Sequence, residues 1–147
     1  MQDVQELSSE VVLNKTLVSD EKLDELWDSS KAVGIPIEHH IHEGVYYRTA
    51  LLKAGVVGIG GVIKIPTTLI LSGHCLILAG DEWVEFMGYK VFNGVPYRQQ
   101  AIKAIEDTYM TMCFKTSATR VEDAEKEFTD EWMLLQTNLK EYKELQQ

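Results

Sequence analysis

One short run is the first to suggest chemistry. Glu38, His39, His40, His42 and Glu43 all stand between positions 38 and 43. Neutral imidazole and carboxylate are the ordinary protein ligands of divalent metals. In a strand His40 and His42 would share one face, as two ligands of a site would. No third ligand is spaced to complete the set locally, so we expect no bound metal. A second run, Gly58, Gly60 and Gly61, invites a phosphate-loop reading. No Lys-Ser or Lys-Thr pair and no helix follow it, so these glycines read as tight turns or bulges. Cys75 and Cys113 make no disulfide framework, and Cys113 has no evident base partner. Both are expected to be buried free thiols. What remains is a set of donors (Arg48, Lys64, Arg98, Gln99) and aromatic walls (Tyr46, Tyr47, Trp83, Tyr97), suited to holding a small, anionic molecule.

The elements that must position these residues are mostly strands. Gly44–Lys53 reads as a strand, with Val45, Tyr47, Thr49 and Leu51 on one face and Tyr46, Arg48, Ala50 and Leu52 on the other. From Gly55 to Lys115, short β-rich runs are separated by glycine turns: Val56–Ile59, Val62–Ile65, Thr67–Leu71, Cys75–Ala79, Trp83–Phe86, Tyr89–Phe92, Tyr97–Ile102 and Thr108–Phe114. Ser72-Gly73 and Gly88 read as turns between strands, and Gly80-Asp81-Glu82 as a hairpin turn. Regular short strands of this kind predict a sandwich or barrel. Alternation places Tyr97 and Gln99 on one face and Arg98 on the other.

Helices are expected at both ends. Val11–Leu13 reads as an edge strand. Ser19 then caps a helix whose face is Leu23, Leu26 and Trp27, closed by Gly34 and Pro36. Thr119 and Glu122 form a capping box. Behind it, Val121, Ala124, Phe128, Trp132, Leu135, Leu139, Tyr142 and Leu145 recur at helical spacing. That stripe predicts a long amphipathic helix, with Phe128, Trp132, Leu135, Leu139 and Tyr142 as an interface between copies, a homodimer being favoured. The expected organisation is an N-terminal helical segment (1–36), a β-barrel (37–116) and a C-terminal amphipathic helix (117–147).

The segment TTLILSGHCLIL with DEWVEFMGYKVFNGVPYRQQAIKAIEDTYMTMC resembles the two β-motifs of the cupin superfamily. HEGVYYRTALLKAG, the Asn93–Tyr97 loop and Glu106-Asp107-Thr108 are similar to small cupin-like proteins of tailed phages, over roughly residues 38 to 128. The resemblance implies a mainly β double-stranded β-helix, or jelly roll, whose sheets form a cup. Metal-binding members of that superfamily carry histidines and a glutamate on these motifs. The matching first stretch here is Val62–Thr67, and the matching second position is Tyr97, so the usual metal-binding histidines are missing.

Composition narrows the function further. The net charge is −9, and the acidic excess lies in the flanks. Residues 1–31 hold eight acids against three lysines, residues 120–147 eight acids against four cations, and the middle balances. Such a chain repels phosphate backbones, which argues against general nucleic-acid binding. No apolar run is long enough to span a membrane, and residues 1–17 lack the pattern of a secretory leader, so a cytoplasmic protein is expected, in the host cytoplasm if phage-encoded. We expect a non-enzymatic binding module with no cofactor. Its partner would be a small anionic or nucleotide ligand, or a host protein. The ligand-binding residues would be Tyr47, Arg48, Lys64, Thr67, Tyr97 and Gln99. The alternatives are a structural or accessory protein of a phage particle, assembled through the C-terminal helix, and an enzyme with an unusual site in the cup.

Overall fold

The computed structural model describes residues 21–22 and 34–135. Seven strands run through the described part: β1 (Ile37–His42), β2 (Val45–Leu52), β3 (Val57–Ile59), β4 (Thr67–Ala79), β5 (Glu82–Gly94), β6 (Gln100–Ala104) and β7 (Thr108–Lys115). One α-helix, α1 (Val121–Phe128), and a 3₁₀ turn at Trp132–Leu134 follow. All strand pairs are antiparallel, in the order β1-β2-β7-β4-β6-β3, with β5 added to β4. Among the described residues no helix is long and apolar enough to cross a membrane.

β4 is the shared strand. Along one edge it pairs with β5 over its whole length, from Thr67 opposite Gly94 to Ala79 opposite Glu82. Along the other edge its first half, Thr68–Ser72, pairs with β7, and its second half, Cys75–Ala79, with β6. The change of partner falls within β4, between Ser72 and Cys75. Gly73 lies there, paired across the ribbon with Gly88. Both have positive φ, 147° and 83°. A Cβ on Gly73 would stand 2.6 Å from Thr108 Oγ1 and 2.7 Å from the Asp107 carbonyl oxygen. The turn between β6 and β7 packs into that space: Thr108 Oγ1 accepts from the His74 N–H at 3.1 Å and donates to the His74 carbonyl. The sheet thus curls around one core. Tyr46, Leu52, Leu69, Leu71, Phe86 and Phe92 belong to it, with Ile102, Met112, Phe114 and Phe128.

Ser72-Gly73 and Gly88 are therefore bends inside two long strands, not turns between four short ones. A glycine at positive φ bends a paired ribbon without ending it. The Gly80-Asp81 hairpin turn forms as expected, joining Ala79 to Glu82. Val62–Ile65 is not a strand; it makes a single β-bridge, Ile63 to Arg98.

The helix expectations need correction. The capping box does not form: the residue before α1 is Arg120, with no side-chain cap. α1 ends at Phe128 because Thr129 turns extended. The Thr129 hydroxyl then accepts from the Glu131 N–H, and the Phe128 carbonyl accepts from the Lys64 N–H at 2.8 Å. Phe128 is only 1% exposed and packs with Tyr46 and Phe114, and Leu135 lies against the same core. The Phe128 side chain is spent within its own chain and does not face a second copy. Trp132 is half-buried under the Lys126 ammonium. Leu139, Tyr142 and Leu145 lie outside the described residues. So do Val11–Leu13 and the expected N-terminal helix, apart from Glu21 and Lys22, which are helical.

The Gly73–Gly88 bend makes an unequal pair of predictions. Gly73→Ala meets backbone and is expected to cost about 3 kcal/mol or more. Gly88→Ala, with nothing within 4 Å of its Cβ, should cost only about 1 kcal/mol for its left-handed φ. Urea unfolding measures both, and equal small losses would contradict a bend fixed at Gly73.

Candidate functional site

The last pair of the long hairpin, Thr67 opposite Gly94, is the floor of the site. After Gly94 the chain leaves β5, and Tyr97 takes a left-handed φ of 59°. That turn sends Arg98 back over the hairpin end. Its backbone is fixed to Ile63, with the Ile63 N–H donating to the Arg98 carbonyl at 2.8 Å. The Arg98 side chain is 1% exposed. Nη1 donates to the Val95 carbonyl at 2.8 Å, and Nη2 donates to the Thr67 hydroxyl. Gly94 supplies the space: a Cβ there would stand 2.6 Å from Nη1 and 2.7 Å from Nη2.

The charge of Arg98 is uncompensated by any carboxylate among its hydrogen-bond partners. Burial pulls the guanidinium down to about 10, so it remains cationic at neutral pH. No charged neighbour contributes to that shift. Nε is buried with no hydrogen-bond partner. A buried charge in this state costs several kcal/mol unless something pairs with it.

A second charged cluster ties α1 to the sheet. Arg48 Nη1 donates to Glu125 Oε2 at 3.0 Å and to the Tyr46 hydroxyl at 3.4 Å, and its guanidinium lies 5.5 Å from the Phe128 ring centre. Their side chains are 13% and 2% exposed, so this ion pair is shielded from water. The Tyr46 oxygen accepts from Arg48, and the same hydroxyl is hydrogen-bonded to His39 Nδ1, 2.8 Å away. Burial, and secondarily the Arg48 charge, lower the His39 pKa below the ordinary value of 6.5.

The six expected ligand-binding residues do not converge. Thr67 is at the Arg98 site. Arg48 is engaged with Glu125. Lys64 pairs with Asp130 at 2.7 Å near the surface. Tyr97 is 63% exposed, Tyr47 lies on the outer face, and Gln99 donates to the Gly60 carbonyl. Alternation misplaced Arg98 because Tyr97 is not a strand residue; β6 begins only at Gln100. His40 and His42 share the exposed face of β1, and His39 turns inward. His74 is within β4, 3.3 Å from Glu85. Cys75 and Cys113 are free thiols, and burial pushes Cys75 up to about 11.

Among the described residues no group of three or more His, Cys, Asp or Glu side chains is gathered as a metal site. The segment that the resemblance matches to the first metal-binding motif offers Ile63, Ile65 and Thr67, beside the Arg98 cation. A guanidinium has no lone pair to give and repels a divalent ion. These residues do not fit the metal that such folds carry elsewhere.

No protein-family model and no curated protein matches this sequence. Solved structures do match. One is a cupin superfamily protein from Desulfitobacterium hafniense, at 13% identity over 60% of this chain and 83% of that one, with a TM-score of 0.48. Another is salicylate 1,2-dioxygenase from Pseudaminobacter salicylatoxidans, at 11% identity over 74% of this chain, with a TM-score of 0.51. The same enzyme in its adducts with gentisate matches at 11% identity over 82% of this chain, with a TM-score of 0.50. The match spans 34% of the dioxygenase chain in each case. At these identities the likeness is one of fold: mainly β, with a curled antiparallel sheet.

Two outcomes follow from the Arg48 cluster. Glu125→Ala leaves Arg48 shielded and unpaired, and is expected to cost about 3 kcal/mol in urea unfolding; a loss below about 1 kcal/mol would show the pair to be ornamental. Because folding lowers the His39 pKa, the unfolded chain binds more protons. Its stabilising share is present above 6.5 and is lost as pH falls from there towards the folded value. The slope of urea midpoint against pH in that window should flatten in His39→Phe, and an unchanged slope would exclude His39 as its source.

Proposed function

We propose that this chain is a non-enzymatic, metal-free module of cupin-like fold that binds a small anion inside its curled sheet. The observation that supports this reading is Arg98: buried, cationic at neutral pH, with Nε making no hydrogen bond and no carboxylate bound to it. A chain under selection for stability alone would replace such a group with an apolar one. An anion supplies the missing counter-charge, and its binding energy offsets the cost of the buried cation. On the resemblance to small phage proteins, the ligand would be a host metabolite.

A second reading draws on the apolar interior formed by Leu69, Leu71, Phe86 and Phe92. It makes the chain a structural protein whose cup is filled by its own side chains. The two differ on whether Arg98 ever gains a partner.

Arg98→Met separates them. The substitution removes the unpaired charge and keeps comparable bulk, so the melting temperature of the ligand-free protein is expected to hold or rise. Stabilisation of the wild-type chain by small anionic metabolites, absent in Arg98→Met, supports binding. No stabilisation of the wild type by any of them favours the structural reading. Stoichiometric zinc or iron in the purified protein would overturn the metal-free claim.

A further inference from the structure

Resting on the reading above, the geometry points to a specific class of anion: a monocarboxylate with an apolar tail, gripped side-on by Nε and Nη2 of Arg98 with the Thr67 hydroxyl as an additional donor. A guanidinium offers five N–H donors, and its edges grip planar, two-oxygen anions. Val95 takes a hydrogen of Nη1 and Thr67 one of Nη2. Nε keeps its hydrogen, and Nη2 keeps its second. Nε and Nη2 share one edge of the guanidinium, and that edge matches the two oxygens of one carboxylate. The Thr67 oxygen accepts from Nη2, which leaves its own hydrogen free to donate.

Charge balance points the same way. One cation is buried here. Lys64 and Arg48, the other cations of the expected site, are each held by an acid, Asp130 and Glu125. A monoanion on Arg98 leaves a neutral pair, whereas a phosphate dianion would bury a net negative charge with too few donors for its remaining oxygens. Ile63, whose backbone bridges to Arg98, and Ile65 pack against the core, so the surroundings suit an apolar tail.

Calorimetric titration of the full chain tests this with benzoate, hexanoate, acetate and inorganic phosphate as probes. Benzoate or hexanoate is expected to bind at least tenfold more tightly than acetate and phosphate. Arg98→Lys keeps the charge but loses the fork, and should weaken binding at least tenfold. Arg98→Met should abolish it, as should Gly94→Ala, whose Cβ occupies the guanidinium's place. Phosphate binding through Arg98 as tightly as the carboxylates would overturn the carboxylate assignment and leave the anion reading intact. Carboxylate binding unaffected by these substitutions would remove Arg98 as the site. Binding of none of the four probes overturns the carboxylate assignment; if Arg98→Met also leaves the effect of a wider anion panel on melting unchanged, the anion reading falls with it.

Discussion

The fold depends on one strand having two sets of partners. β4 gives its first half to β7 and its second half to β6, while β5 follows it from end to end. β7 and β6 lie end to end along one edge of β4, and the chain between them folds over Gly73. The bend needs a residue without a side chain, because the β6–β7 turn fills the place where a Cβ would go. From that single constraint come the curl of the sheet, the common core inside it and the position of the hairpin's open end. The Thr67–Gly94 pair at that end is where the next loop deposits Arg98.

The molecule treats its two inward arginines differently. Arg48 is matched by Glu125, packed on Phe128 and linked through Tyr46 to His39, a chain of hydrogen bonds that fastens α1 to the sheet. Arg98 receives two neutral oxygens and no carboxylate. A buried ion pair approximately offsets its own desolvation, whereas a lone buried cation does not. The first arrangement is architecture. The second spends stability at one point, where a hydroxyl, a missing side chain and an unused donor come together.

Much of the β architecture was legible in the sequence. β2, the Gly80-Asp81 hairpin turn and β7 stand close to where alternation and turn residues put them. That Tyr46, Arg48, Ala50 and Leu52 share a face also follows from period two; which face turns inward does not. Gly73 and Gly88 were read as chain reversals because composition does not distinguish a glycine that ends a strand from one that bends it. The C-terminal stripe implied a continuous helix, since spacing does not reveal that Thr129 will bond its own backbone and stop α1. Arg98 was legible only as a cation. Its inward direction depends on the left-handed turn at Tyr97, which alternation cannot anticipate.

The most direct test watches the unused donor itself. The Nε–H resonance of Arg98, assigned by its loss in Arg98→Lys, can be followed by NMR as a small anion is titrated into the folded protein. If Arg98 holds the ligand, that resonance should move downfield with saturation, while the Nε–H of exposed Arg120 stays still. An Arg98 resonance that remains in place while the protein demonstrably binds an anion would contradict a site at Arg98.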